Sequence, residues 1–335
     1  MALTPRLDDP TVVIALPMFD DWAALTQLLP LIDAALQGNG LRAPVLVIDD
    51  ASSQPAPAGF GTAAYDAIEG ITILRLRRNL GHQRAIAIGL AHIERHVACD
   101  AVVLMDADGE DDPADIPRLI DRYRREYGSA VVFAERRRRV ESLPFRIFYH
   151  AYRALHRVLT GQSVRVGNFS IIPRARLRAL VVVSELWNHY SAAVFRSRQP
   201  CVMVSTARSR RLAGRSHMNV VSLVIHGMSA ISVYGDVVFV RLVVFASSLA
   251  VLAIAGLVIV GAFLIWTEVV IPTWAATVSG LLVLILLQAI MFIASLTFLG
   301  LSSRQQAPFV PMRDFELYVE SAWPIAHFTR RTVLS

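Results

Sequence analysis

The stretch "VVLMDADGEDDPADIP", Val102–Pro117, decides the fold. Four apolar residues, Val102–Met105, run straight into Asp106, with Asp108, Glu110, Asp111, Asp112 and Asp115 close behind. An unbroken apolar run of this length reads as a buried strand. A buried strand that ends in a knot of like charges needs a cation or a partner to compensate it.

The same pattern recurs along the first two thirds of the chain. "TVVIALP" (11–17), "APVLVIDD" (43–50), "GITILRL" (70–76), "DAVVLMD" (100–106) and "SAVVFAE" (129–135) are apolar runs ending in polar or charged residues. Helical patterns lie between them, over Ala23–Leu36, Gln83–His96 and Ile116–Glu126. Strands alternating with helices predict an α/β domain with a mostly parallel sheet covered on both faces. Ligands of such sheets bind beyond the carboxyl ends of the strands. Asp20 and Asp21, Asp49 and Asp50, and Asp106 and Asp108 all fall there.

Composition narrows the classes. Hydrophobic residues make up 54% of the 335, and the mean hydropathy is +0.48, high for a wholly soluble protein. The net charge is +6, and every basic residue is Arg, because the sequence contains no Lys. Arg makes planar, bidentate contacts to phosphate. The interleaving of aromatic and basic residues typical of a single-strand binder is missing, which argues against nucleic acid. Cys99 and Cys201 are too few for a disulfide framework and lack zinc spacing. The N-terminus, "MALTPRLDDPTVVIALP", predicts no cleavable signal peptide.

The apolar excess is concentrated late. Leu242–Trp266 and Thr273–Leu301 carry no charged residue, and each exceeds the roughly 20 residues a membrane-spanning helix needs. They predict a transmembrane hairpin joined by "TEVVIP". Arg241, Arg304 and Arg313 flank it, while the connection holds only Glu268, so the positive-inside bias puts both termini in the cytoplasm. "MNVVSLVIHGMSAISVYGD" (218–236) follows the Arg-rich "RSRRLAGR" and reads as an interfacial helix lying on the membrane. The expected domains are 1–215 as the catalytic α/β domain, 216–236 as the juxtamembrane helix, 237–302 as the two spans, and 303–335 as a cytoplasmic tail.

Asp106 and Asp108, spaced i, i+2 beyond a strand, can share one cation. Hard oxygen ligands at low count suit Mg²⁺ or Mn²⁺ completed by substrate phosphates, and Glu110 could add a ligand. The plain alternative is a solvated helix start, which acidic residues favour. That reading fits Asp111, Asp112 and Asp115. Arg136–Arg139 are four consecutive arginines after a strand end; a solvated basic face accounts for Arg137 and Arg138. His82, His150, His156, His189 and His226 have no metal-ligand spacing among them.

"VVIALPMFDD", "VLVIDDAS", "NLGHQRAIAIGL" and "VVLMDADGEDDP", in that order, resemble the nucleotide-sugar domain of family 2 inverting glycosyltransferases. More narrowly, the chain resembles the polyprenyl-phosphate glycosyltransferases, which include dolichyl-phosphate mannose synthase and bacterial undecaprenyl-phosphate glucosyl and aminoarabinosyl transferases. "RRRRVESLPFRIFYHAYRALHRVLTG", "VGNFSIIPR" and "RLAGRSHMN" extend the likeness, and two C-terminal spans, which fit the bacterial members, carry it to about residue 305. The resemblance implies a GT-A fold. It also implies inverting transfer of one sugar from a nucleotide diphosphate donor to a polyprenyl phosphate, at the cytoplasmic face of a bacterial inner membrane, for cell-envelope glycosylation.

Site roles carry over residue by residue. Pro17 and Asp21 of "PMFDD" lie near the donor nucleotide, Asp21 standing where the family has Glu. Asp49 and Asp50 face base and ribose, and Asn79 and Gly81 match the turn under the nucleotide. Asp106 and Asp108 hold Mg²⁺ or Mn²⁺ on the diphosphate, with Glu110 where Gln is common. Arg211, Gly214 and Ser216 match the loop that closes on the donor. There His217 replaces Lys and Arg215 replaces Glu, which shifts the fixed positive charge to Arg215. "GNFS" departs from the acidic Gly-Asp-Phe, leaving Asn168 a site-lining role. Arg136, Arg139 and Arg146 match arginines on the acceptor-phosphate side. No residue stands out as a general base, and a phosphomonoester acceptor, mostly ionised at pH 7, needs none. Two rivals remain: a transferase using another lipid acceptor, and a non-catalytic partner subunit on the same scaffold. A homo-oligomer through the helices stays open.

Overall fold

The computed structural model describes residues 10–136, 154–162, 166–207, 209–214, 220–267, 273–305 and 307–327. They build β1 (Val12–Met18), α1 (Trp22–Gln37), β2 (Ala43–Asp49), β3 (Ile68–Leu76), α2 (His82–His96), β4 (Ala101–Leu104), α3 (Ile116–Arg125) and β5 (Val131–Arg136). A helix α4 (154–160) follows. Then come β6 (Ser170–Pro173), α5 (Arg174–Leu180), α6 (Tyr190–Arg196), β7 (Cys201–Thr206), α7 (Val220–Ser232), α8 (Gly235–Thr267), α9 (Thr273–Gln305), α10 (Pro311–Asp314) and β8 (Val319–His327).

The strands form one eight-stranded sheet in the order β7-β5-β6-β4-β1-β2-β3-β8. β1 runs parallel to β2 and β4, β2 to β3, and β5 to β7. β6 is antiparallel to β4 and β5, and β8 is antiparallel to β3. The carboxyl ends of β1 to β5 and of β7 therefore lie along one edge, and the amino ends of β6 and β8 join them. The order reverses at β1, which has β2 on one side and β4 on the other. That switch point is where an open α/β sheet leaves a crevice.

Every residue of β1 is buried, and alternation sends its side chains to both faces. Ile14 and Leu16 pack with Leu25, Leu28 and Ile32 of α1 and Leu119 and Ile120 of α3. Val13 and Ala15 pack with Ile86, Leu90 and Ile93 of α2 and Leu177 of α5. Each such aliphatic side chain contributes about 1.5–3 kcal/mol on leaving water. The sheet is thus fixed from both sides before any charged residue is placed, and the expected α/β domain is present.

The stretch after α9 is not a bare tail. Phe309 stacks near Trp187 at 3.8 Å between ring centroids, Phe315 is buried, and β8 extends the sheet through Gly70↔His327 to Leu76↔Val319. Pro324 sits within β8, a residue tolerated on an edge strand because it has no N–H to donate.

A second compact unit holds residues 153–162 and 234–308. Within it α8 and α9 pack antiparallel, Phe239 opposite Gly300, Gly256 opposite Leu282 and Phe263 near Trp274. Both are long and apolar enough to cross a membrane, over Gly235–Trp266 and Thr273–Ser302. Their outward faces expose Ile265, Trp266 and Met291. Arg241, at the start of α8, donates to the carbonyl oxygen of Val158 near the end of α4. Helix α7 exposes Val224, Ile225 and Met228.

Candidate active site at the carboxyl edge of the sheet

The ends of β1, β2 and β4 each deliver carboxylates. Asp20 follows β1 in a left-handed conformation, φ 54°. Its carboxylate accepts the Ser53 N–H at 2.8 Å and the Ser53 hydroxyl at 2.6 Å. Asp20 therefore ties the loop after β1 to the loop after β2. Asp21, at the start of α1, pairs instead with Arg211. Pro17 lies inside β1 in register with Ile48 and is buried.

Asp49 and Asp50 end β2 and are almost fully buried. Asp49 accepts the Ser52 N–H at 2.8 Å and faces the Arg75 guanidinium at 3.4 Å. Arg75 also holds Glu320 of β8 at 3.0 Å, so the strand that arrives last is linked to the β2 terminus. Asp50 accepts the N–H groups of Leu80 and Gly81, each at 2.8 Å. Gly81 caps α2 with φ 90°, and Asn79 beside it is exposed.

β4 runs into the acidic knot. Asp111 is buried and turns back to accept the Asp106 N–H at 3.2 Å, which closes the loop around Asp108. Asp112 caps the 3-10 turn Pro113–Asp115 through the Ala114 N–H at 3.0 Å, and Asp115 pairs with Arg118. Asp112 and Asp115 are helix-start groups, as their spacing predicts, whereas Asp111, expected in the same role, serves instead to close the loop. Asp108 accepts the Glu110 N–H on one oxygen and an Arg211 N–H on the other, both at 3.0 Å.

Residues 209–214 cross this loop. Ser209 N–H donates to the Glu110 carbonyl and Leu212 N–H to the Asp108 carbonyl, both at 3.0 Å. Gly109 has φ 81°, and a Cβ there would meet the Leu212 side chain at 2.4 Å. Both the backbone conformation and the close approach require glycine. Arg211 thereby reaches two carboxylates, Asp21 and Asp108.

Asp106 has different company. His82 Nε2 stands 3.1 Å from its Oδ1, and the Asn168 amide donates to the same oxygen at 3.3 Å. Local spacing gives His82 no metal-ligand pattern and suggests only a structural histidine. The antiparallel turn of β6 brings Asn168 to this edge, and nothing in a local pattern announces that contact. Arg136 ends β5 opposite Thr206, at the same edge. Arg139, Arg146, Ser216 and His217 lie outside the described residues.

The glycosyl transferase family 2 model matches residues 14–180. Residues 14–180 belong to glycosyl transferase family 2. The match contains every carboxylate above except Glu320, together with His82 and Asn168, but stops before Arg211. The chain is 28% identical over 170 residues to an undecaprenyl-phosphate 4-deoxy-4-formamido-L-arabinose transferase of Salmonella paratyphi A, covering 51% of this chain and 50% of that protein. A relative of the same description from Erwinia tasmaniensis is 29% identical over 170 residues. The chain thus spans about half the length of the curated relatives it matches. Among solved structures, glucosyl-3-phosphoglycerate synthase from Mycobacterium tuberculosis gives a TM-score of 0.48 at 15% identity, covering 68% of this chain and 78% of that one. Mannosyl-3-phosphoglycerate synthase from Rubrobacter xylanophilus gives 0.44 at 14%, covering 68% and 73%.

The crowding of charge in this family 2 domain shifts its ionisable groups. Burial raises Asp108, and the nearby Asp106 charge adds to the rise against the pull of the Glu110 N–H and Arg211. Desolvation lowers His82, but Asp106, with Asp108 and Asp50, outweighs it and holds the imidazole above its ordinary value. Burial pushes Asp50 up from 3.8 to about 6, although its two N–H donors oppose the rise. The folded chain therefore binds this proton more tightly than the unfolded chain does. Its stabilising contribution is complete below 3.8 and is lost as pH rises through about 6. Asp50→Asn, which keeps the site neutral, should flatten that part of the stability profile. Denaturation midpoints between those two pH values check this, and an unchanged slope would place the titration on another group.

Proposed function

We propose that the chain is a membrane-anchored glycosyltransferase. It would move one sugar, with inversion, from a nucleoside diphosphate to a polyprenyl phosphate at the cytoplasmic face of a bacterial inner membrane. The reading rests on one observation above all. Asp106 and Asp108 stand at the switch point of a family 2 domain, and each is balanced by a side chain that can move away. The likeness to undecaprenyl-phosphate transferases supports the acceptor class.

Asp106 and Asp108 fit a hard divalent cation. Among the described residues no three His, Cys, Asp or Glu side chains form a metal-holding group. Two carboxylates alone suit Mg²⁺ or Mn²⁺, which keep waters and take substrate phosphates as further ligands. Glu110 contributes nearby negative charge to Asp108. When bound, the ion supplies Lewis-acid stabilisation of the departing diphosphate.

The protein groups divide the remaining work. Asp49 and Asp50 would meet the nucleoside, with Pro17, Asn79 and Gly81 shaping that end of the cleft. Arg211 would leave Asp108 and turn to the diphosphate, a bidentate partner for its fork, with Asp21 orienting it and Ser216 and His217 next in sequence. Arg136, Arg139 and Arg146 would hold the lipid phosphate. One phosphate oxygen bonds the anomeric carbon as the bond to the diphosphate oxygen breaks. The nucleophile arrives already ionised, so no side chain need remove a proton.

The membrane assignment draws on α8 and α9. The chain leaves the sheet domain before α8 and returns to it in β8, so crossings must come in pairs. Arg on the outer flanks supports a cytoplasmic position for that domain. A Glu268→Cys variant should label from outside intact cells. Protection of that cysteine, with labelling at residue 335, would reverse the orientation.

The deciding assay incubates the detergent-solubilised protein with a panel of nucleotide sugars, Mg²⁺ or Mn²⁺ and a polyprenyl phosphate, with the lipid read by mass spectrometry. A sugar-charged lipid is expected, and none from the dephosphorylated polyprenol. Asp108→Asn should lower turnover by about a hundredfold or more while the fold is kept. Wild-type turnover with unchanged metal dependence would remove Asp108 from the site. Arg211→Gln tests the exchange of cations. It should tighten Mn²⁺ binding by the nucleotide-free protein and weaken nucleoside diphosphate binding. Mn²⁺ affinity that is unchanged or lower would show that the guanidinium does not compete for Asp108.

A further inference from the structure

A chain of side-chain amides leads from the core to Asp106, and its direction can be read without seeing a hydrogen atom. The backbone N–H of Tyr190 can only donate. It meets Gln83 Oε1 at 2.7 Å, which turns the Gln83 NH₂ the other way. That NH₂ meets Asn168 Oδ1 at 3.2 Å, which in turn leaves the Asn168 NH₂ facing Asp106 Oδ1 at 3.3 Å and His82 Nε2 at 2.9 Å. One backbone donor thus sets the orientation of two amides in series.

The anchor is stiff. Gln83 is buried in the first turn of α2, and Tyr190 is fully buried at the start of α6. The Tyr190 hydroxyl meets Ser170 Oγ at 2.6 Å, and Ser170 donates to the Asn168 carbonyl at 2.8 Å. Asn168 is therefore held by its backbone and by its side chain at once. Its oxygen is committed to Gln83, so toward the site it offers donors only.

We propose that Gln83 is a positioning residue: acting through Asn168, it orients the Asp106 carboxylate for the cation and keeps a hydrogen-bond donor facing the reacting groups. The inference rests on the reading of Asp106 as a metal ligand. Partners that orient a ligating carboxylate typically change metal affinity or activity by about 10–100-fold. The same geometry gives position 168 a defined part in specificity. A committed amide donor can bind an anionic oxygen but cannot take a proton, which suits a phosphate acceptor and not a neutral hydroxyl.

The test is a titration of the purified full chain with Mn²⁺ alone, followed by electron paramagnetic resonance, so that turnover plays no part. Gln83→Met removes both hydrogen bonds at similar volume and should weaken Mn²⁺ binding about tenfold. Gln83→Glu should weaken it further. A carboxylate still accepts from the Tyr190 N–H but cannot donate to Asn168, whose amide then turns its oxygen toward Asp106. Asn168→Ala should match Gln83→Met, and the double variant should bind no worse than Asn168→Ala. A purely structural role for Gln83 would instead give losses that add, and additive losses would overturn the inference. If Gln83→Glu does not fold, the Met and Ala arms decide. Asp106→Asn separates the two levels. If it weakens Mn²⁺ binding while the Gln83 variants bind like wild type, only the inference falls. If it leaves binding unchanged, or if the wild-type chain binds no Mn²⁺, the metal reading falls and takes the inference with it.

Discussion

The sheet gathers Asp21, Asp49, Asp50, Asp106 and Asp108 along one edge, and their mutual repulsion has to be offset for the domain to fold. The offsets are of two kinds. Asp50 is held by two backbone N–H groups, and Asp49 by one together with Arg75. Backbone donors in a packed turn cannot leave, and burial, which outweighs its two donors, holds Asp50 above the usual carboxylate range. Asp106 and Asp108 have their cations on the side chains of His82 and Arg211, with the Glu110 N–H also donating to Asp108. Those side chains can swing away and be replaced.

A carboxylate whose only cation is a mobile side chain is a place where another cation can bind at little net cost, because the desolvation of the carboxylate has already been met. Arg211 comes from a segment outside the family 2 match. It lies over the Asp108 loop because Leu212 packs against Gly109 and two backbone hydrogen bonds join the strips. The charge pairing adds to these contacts and to the Ser209 hydroxyl bond to Asp112. Losing Arg211's hold on Asp108 would loosen the cover and expose the cleft together.

Much of this was legible in the sequence, for an identifiable reason. Strands buried on both faces read as unbroken apolar runs, so β1 to β5 and helices α1 to α3 stand out within a residue or two of their observed ends. β6 is four residues long and β7 is half-exposed, so neither produces a run that exceeds the background. β8 was hidden by its place after the apolar helices and by Pro324. Strand-end carboxylates were visible because each is adjacent in sequence to the strand that positions it. His82, Gln83 and Arg75 were not, because their partners Asp106, Asn168 and Glu320 are brought to them only by sheet order. The departure of "GNFS" from an acidic pattern was visible; the reason an amide works there depends on the backbone N–H of Tyr190, distant in the chain.

β8 sets a further constraint on the whole chain. A strand that must pair with β3 has to be on the same side of any membrane as β3, whatever the flanking charges prefer. A single crossing would strand residues 319–327 away from the sheet and leave the β3 edge unpaired, a ready template for wrong association. Two antiparallel helices satisfy the constraint with the smallest insertion. The arginine asymmetry around the hairpin and the pairing of β8 are independent, one electrostatic and one topological. They converge because the sheet cannot be completed until the second helix has brought the chain back.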